Sequence, residues 1–212
     1  FLTRLFNRSK LEQHIDKCLS KEIDSNEPRS FLLYIDLDQF KVINEHFGHF
    51  AGDELLRQIS ELLLSIELQK PLIARLGGDE FAIVFQEDDI DSALKTSNKI
   101  SHVINSHEFL WQEQAFIFTA SCALMDFAEN WLSSSHMLSM ADTMIFELKL
   151  KGGNDIEIYH SGEDGSEQSR LELQWIPQIN SAIKHDEFEL YFQKIVHSKE
   201  QEREKAEILI RM

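Results

Sequence analysis

Residues 72–85 constrain this chain more than any other stretch. Two apolar runs, Leu-Ile-Ala-Arg-Leu (72–76) and Glu-Phe-Ala-Ile-Val-Phe (80–85), flank Gly77-Gly78-Asp79. Short strand-like runs on either side of a glycine-rich turn predict a β-hairpin with the glycines at its tip. Without Cβ atoms, Gly77 and Gly78 let a ligand come close to the backbone, and Asp79 and Glu80 put two carboxylates beside them. Acidic residues on a turn are common, and Asp-Glu alone would carry no message. The upstream run Ser30–Asp36, Ser-Phe-Leu-Leu-Tyr-Ile-Asp, changes this, because it reads as a buried strand that also ends in aspartate. Ligands of α/β sheets collect at strand ends and the turns beside them. Capping of the next helix is the competing role for Asp36 or Asp38.

The rest of the chain supplies helices around these strands. Leu11, Ile15, Cys18 and Leu19 share one helical face within 11–23, and Asn26-Glu27-Pro28 breaks the pattern. A short helix is expected over Asp38–Phe47, a turn over Gly48–Gly52, and an amphipathic helix over Asp53–Ile66 carrying Leu55, Leu56, Ile59, Leu62, Leu63 and Ile66 inward. Beyond the hairpin, Asp89–Ser106 reads as a helix with Ala93, Ile100, Val103 and Ile104 inward. Phe116–Met125 reads as a strand, Ser133–Leu150 as a helix and Ile156–Tyr159 as a closing strand. The expected order α, β, α, α, β, β, α, β, α, β implies one mixed sheet flanked by helices, an α/β (α+β) domain over 1–160. A polar linker follows at 161–168, and a second unit occupies 169–212 with a helix at Arg170–Lys184, a strand at Phe188–Val196, a loop at Ser198–Lys205 and a last strand from Ala206 to Met212.

Composition narrows the partners. The 212 residues carry 37 acidic and 21 basic side chains, a formal net charge of -16. Such a surface repels polyanions, which argues against nucleic acid or an anionic membrane surface as the main partner. It is compatible with a nucleotide whose phosphates are held through metal ions, since such a pocket needs carboxylates of its own. Two cysteines far apart, Cys18 and Cys122, suit a reduced, cytoplasmic setting. No apolar run approaches the roughly 20 residues a membrane span needs. The start at Phe1 suggests a piece of a longer protein and leaves open a membrane or sensory segment upstream.

Four segments in the expected order resemble the GGDEF family, the diguanylate cyclases: LTRLFNR (Leu2–Arg8), IDLDQFKVINEHFGHFAGDELL (Ile35–Leu56), RLGGDEFAIVF (Arg75–Phe85) and ADTMIFELKLKGGN (Ala141–Asn154). The resemblance covers residues 2 to about 160. It implies a central, largely antiparallel sheet like that of nucleotide cyclases and polymerase palms. It also implies condensation of two GTP molecules into cyclic di-GMP and pyrophosphate across a homodimer, with Mg²⁺ or Mn²⁺ as cofactor. By the same resemblance Asp36, Asp79 and the carbonyl of Leu37 are metal ligands, and Glu80 is the general base or a further ligand. Lys41 and Lys149 are phosphate contacts, with Lys41 also placed in the catalytic set. Asn44 and Asp53 read guanine, with Asp53 alternatively the N-cap of its helix. Phe40, His49, Gly77 and Gly78 complete the GTP site.

Several positions depart from the family pattern. Gly153 stands where the closing Gly-Arg-Asn has its arginine, Ile145-Phe146 where Leu-Tyr is usual, and Leu68 and Pro71 where many relatives carry an Arg-x-x-Asp inhibitory motif. Feedback by cyclic di-GMP at that last site is therefore not expected. The Gly153 departure keeps a second reading open: a weak or inactive GTP-binding module that regulates an adjoining EAL phosphodiesterase. The tail resembles the start of such an EAL domain. RLELQWIPQINSAIKHDEFELYFQKIV is followed by AEILIRM, with Lys194 in place of proline and Glu207-Ile208-Leu209 at the naming motif. A few elements cannot close a barrel of roughly 250 residues, so no phosphodiesterase activity is expected of this piece. Its strand, with Phe188, Leu190 and Phe192 on one alternation and Tyr191 and Ile195 on the other, is expected to lack most partners and to dock on a neighbouring surface.

Overall fold

A computed structural model describes residues 2–20, 28–160, 182, 188–195 and 205–211. The chain forms two compact units, Phe1–Tyr159 and His160–Met212.

The first unit is built on β1 (Arg29–Leu37), whose last seven positions carry six buried residues and Asp36. β1 lies mid-sheet in the order β2-β3-β1-β6-β7, with β2 at Leu72–Gly77, β3 at Glu80–Glu87, β6 at Ala120–Asp126 and β7 at Ile156–Ile158. Every pairing is antiparallel except β6 with β7. Alternation along β1 assigns its two faces. Phe31, Leu33, Ile35 and Leu37 join Phe81, Ile83 and Phe85 beneath α2 (Phe40–Phe47), α3 (His49–Ser65) and α4 (Ile90–Asn105). Leu32 and Tyr34 join Ala82, Val84, Ala123 and Met125 beneath α1 (Arg8–Leu19) and α5 (Ser134–Leu150). Tyr34 has alanines opposite it on both neighbouring strands, Ala82 and Ala123, which leaves room for its ring. Neither cysteine forms a disulfide, and no described helix is long and apolar enough to cross a membrane.

The expected elements are found, with three corrections. The turn expected over Gly48–Gly52 is confined to Gly48 (φ 80°), and α3 starts at His49, so Asp53 lies inside the helix and does not cap it. The single strand expected over Phe116–Met125 is two elements. A separate hairpin of β4 (Glu108–Trp111) and β5 (Gln114–Ile117) comes first, and β6 follows. Neither Asp36 nor Asp38 caps the next helix: the cap position of α2 is Gln39, in the left-handed region with φ 60° and no side-chain cap bond. Inward faces agree closely, although in α4 Val103 is only half-buried and Ser97 and Ser101 are buried instead.

In the second unit, β8 (Glu189–Ile195) pairs antiparallel with β9 (Lys205–Arg211). The strand expected to lack partners therefore has one in the last residues of the chain. The expected linker, the Arg170–Lys184 helix apart from Ala182, and most of the 198–205 loop lie outside the described residues.

Candidate active site

The site forms at one end of the sheet, where β1 stops and the β2–β3 turn reaches the same level. Asp36, the penultimate residue of β1, is paired in register with Glu80 on one side and Ser121 on the other. Alternation puts Asp36 on the Tyr34 face, under the C-terminal end of α5. Lys149, in the last turn of that helix, is ion-paired through Nζ with Asp36 Oδ1. The Asp36 side chain is 15% exposed. Burial pushes its carboxyl up to about 6, ahead of the opposing pull of Lys149, and the charges of Asp79 and Glu80 push the same way. Burial also raises Glu80, chiefly with Asp142 as a like-charged neighbour. The Tyr34 hydroxyl lies beside Glu80, Asp142 and Arg8, and burial holds its pKa far above the ordinary phenol range, so it stays protonated.

The hairpin tip is tied down by its own arginine. Arg75 donates to the Gly78 carbonyl through Nε (2.9 Å) and Nη2 (2.6 Å). Gly78 sits at φ 46°, and a Cβ built on Gly77 or Gly78 would meet nothing within 4 Å. The turn backbone is thus open to an approaching ligand. The Leu37 N–H donates to the Asp79 carbonyl at 3.3 Å, joining the tip to the end of β1.

From the other face of the sheet come α2 and α3. A Cβ on Gly52 would lie 2.1 Å from Asn44 Oδ1 and 3.1 Å from the Phe40 ring, so only glycine lets Asn44 lie against α3. Asp53 follows directly, and its charge and that of Asp79 both act on Arg75. His49 is exposed at the start of α3. Lys41 extends into solvent, 3.5 Å from Glu45. Phe40 is buried in the core, so its side chain supports α2 from below and does not face the open turn.

Asp36, Leu37, Asp79, Glu80, Lys149, Gly77 and Gly78 thus meet at the sheet end, while Asn44 meets Gly52 at the α2–α3 contact and Asp53 follows Gly52 in the chain. Among the described residues, no three His, Cys, Asp or Glu side chains converge as a preformed metal cage. The oxygen donors of Asp36, Asp79 and the Leu37 backbone nevertheless suit a small hard cation, because Mg²⁺ is commonly held by one or two carboxylates with substrate phosphates completing its shell. Four residues escaped sequence reasoning: Asp38, Arg75, Tyr34 and Asp142. Of these, Asp38, Arg75 and Asp142 had a visible signal, lying within the motif segments themselves, and Tyr34 had none.

Residues 1–155 match the family described as "Diguanylate cyclase, GGDEF domain". The chain belongs to the GGDEF family. Among relatives of this GGDEF chain, a probable diguanylate cyclase of Escherichia coli, DgcE, is 31% identical over 178 residues, covering 82% of this chain and 16% of that protein. The cyclic di-GMP phosphodiesterase PdeB of Shewanella oneidensis is 29% identical over 216 residues, covering all of this chain and 24% of that protein. The chain therefore spans less than a quarter of either relative. The isolated GGDEF domain of YfiN from Pseudomonas aeruginosa superimposes with a TM-score of 0.67 at 27% identity, over 75% of this chain and 92% of that one. DgcB of Caulobacter crescentus, solved in complex with c-di-GMP, shares the fold at a TM-score of 0.66 and 22% identity, over 74% of this chain and 90% of that one.

Proposed function

We propose that the GGDEF domain condenses two GTP molecules into cyclic di-GMP and pyrophosphate, each of two facing domains holding one nucleotide. The observation that carries this reading is the meeting of Asp36, Glu80 and the Gly77–Asp79 turn at one sheet end under Lys149. Asp36, Asp79 and the Leu37 carbonyl would hold Mg²⁺ or Mn²⁺, which supplies charge neutralisation at the α-phosphate and a lowered pKa for the attacking 3′-hydroxyl. The open turn lets phosphates lie against the Gly77 and Gly78 backbone. Lys149, ion-paired with Asp36, would donate to a phosphate oxygen, and Lys41 would reach the phosphates from α2. Glu80, whose proton affinity burial raises, is suited to accept the proton from the 3′-hydroxyl. Asn44 and Asp53 read the base. The full set of acidic residues favours an enzyme over a non-catalytic regulatory module, and the relatives named as diguanylate cyclases support the same choice.

The chain's last 53 residues form the second compact unit. We read it as the opening of an EAL domain, a reading supported by the alignment of PdeB over the whole chain.

Incubation of the 212-residue chain with GTP and Mg²⁺, followed by chromatography, is expected to yield cyclic di-GMP; unchanged GTP would overturn the reading.

Restoring the family arginine at position 153 is expected to bring no gain. Gly153 has φ 68°, and a Cβ there would come within 3.0 Å of both Asp38 Oδ1 and Ser121 Oγ. A left-handed non-glycine residue costs about 1–3 kcal/mol, and the crowding adds to that. Gly153→Arg should therefore lower the melting temperature and leave GTP affinity no better than that of the unsubstituted chain. A calorimetric gain in affinity without loss of stability would contradict this.

A further inference from the structure

Asp38 takes no part in the site as described above, yet it is the most heavily hydrogen-bonded carboxylate near it. Its Oδ2 accepts from Thr119 Oγ1 (2.7 Å) and from the Asn154 N–H (3.1 Å), and its Oδ1 accepts from Ser121 Oγ (2.7 Å). The Asp38 N–H donates to the Thr119 carbonyl at 2.8 Å, which fixes the carboxylate's own backbone to the start of β6. Ser121, fully buried, also accepts from the Asn154 N–H at 3.2 Å. Asn105 completes the ring, donating to Asn154 Oδ1 (2.8 Å) and accepting from the Ala120 N–H (3.2 Å).

What this ring holds is the turn that ends α5. Gly152, Gly153 and Asn154 all have positive φ, at 119°, 68° and 55°. The turn folds back on the helix through Gly152 N–H to the Lys149 carbonyl (3.2 Å) and Gly153 N–H to the Leu148 carbonyl (3.0 Å). Lys149 therefore stands directly before a turn whose far end is bonded to Asp38. Asp36, its ion-pair partner, lies two residues before Asp38 on the same chain segment. The close approach at Gly153, where even a methyl group would crowd Asp38 and Ser121, shows how tightly the turn is drawn in.

We infer that Asp38 is a positioning residue for the nucleotide site: by binding the Asn154 amide and the Thr119 and Ser121 hydroxyls, it sets the C-terminal end of α5 so that Lys149 stands over Asp36. The inference rests on the proposed nucleotide reading, in which Lys149 meets phosphate. It is distinct from metal binding, because both Asp38 oxygens are occupied by protein donors. Glycine at 153 follows from the same arrangement, as the clasp leaves no room for a side chain there.

A double-mutant cycle on the 212-residue chain tests this, with GTP affinity measured by calorimetry in Mg²⁺ and folding followed by thermal melting. Asp38→Asn keeps the shape and exchanges one acceptor for a donor, so the Asn154 amide and both hydroxyls cannot all go on donating to residue 38. Losing charge-assisted bonds of this kind is expected to weaken GTP binding about tenfold. In a Lys149→Ala background the same substitution is expected to cost less than about twofold, because the group it positions is gone. Equal losses in both backgrounds, or no loss in either, would overturn the proposal. Should Asp38→Asn fail to fold, the cycle is run with Thr119→Val, which removes one hydroxyl donor at constant shape, and the same two outcomes decide. Absence of GTP binding by the unsubstituted chain overturns the nucleotide reading and this proposal with it, whereas GTP binding with additive losses overturns the positioning role alone.

Discussion

Asp79→Asn is expected to cut Mg²⁺-dependent product formation by about a hundredfold or more while leaving the protein as stable as before, or slightly more so. The two effects have different causes. Metal-bound charge stabilisation is worth several kcal/mol in reactions of this class, and each 1.36 kcal/mol is tenfold in rate. Replacing one carboxylate oxygen with an amide nitrogen removes a charged hard ligand. The fold has no such stake in Asp79. Its backbone carbonyl, which accepts from Leu37, is untouched, and the tip is held by Arg75 on Gly78. Asp79 also adds to the repulsion that raises the Asp36 pKa, so removing its charge relieves a clash of like charges. Asp36→Asn should be equally inactive but is the less clean test, since it strips Lys149 of its ion-pair partner. Product chromatography beside thermal melting separates the outcomes. Full turnover in the Asp79 variant would sink the assignment, and loss of activity together with collapse of the fold would mean the tip is structural.

The parts of the fold legible in the sequence were those carried by local periodicity. β1, the β2–β3 hairpin and the helix faces of α1, α3 and α4 each follow from apolar spacing, and the start of α4 from Asp89, whose side chain accepts from the Ser92 N–H at 2.7 Å. Misreadings arose where a residue's usual meaning was overruled by a distant contact. Gly52 reads as a turn glycine, yet it lies inside α3 because Asn44 of α2 needs the space where its side chain would be. The β4–β5 hairpin turns through Gln112 (φ 48°) and Glu113 (φ 65°), left-handed positions that Asn-Gly or Gly-Gly would have announced and these residues hide. The candidate site shows the same division. Asp36 and Glu80 stand out because each sits at the end of a readable strand, and Asp79 because it lies in the turn between two of them. Asp38 does not, because its partners Thr119, Ser121 and Asn154 come from the far side of the sequence and only the β1–β6 pairing and the α5 turn bring them together.

GTP is expected to bind at least about tenfold more tightly than ATP, and the reason lies in where α3 begins. Had Asp53 been the N-cap, its carboxylate would be occupied by backbone amides of its own helix. The helix starts at His49, so Asp53 is one turn inside it and is relieved of that duty. Its neighbour Gly52 lies against Asn44, so the candidate carboxylate is one residue along the chain from the α2–α3 contact that holds the amide. Guanine presents N1–H and N2–H₂ as adjacent donors, matching a carboxylate, and leaves its O6 and N7 edge for an amide. Adenine offers an acceptor at N1, so Asp53 would face lone pair against lone pair. A polar group left unpaired in this way costs about 1–3 kcal/mol, the source of the tenfold expectation. Asp53→Asn supplies the internal control. Its amide can donate to adenine N1, so the variant should lose GTP affinity while ATP affinity holds or rises, narrowing the gap from both sides. Arg75 bears on the result as well, because its guanidinium already feels the Asp53 charge, and the variant removes that attraction. Calorimetric titrations of both nucleotides into both proteins decide the matter: equal GTP and ATP affinities in the unsubstituted chain would remove Asn44 and Asp53 from base recognition.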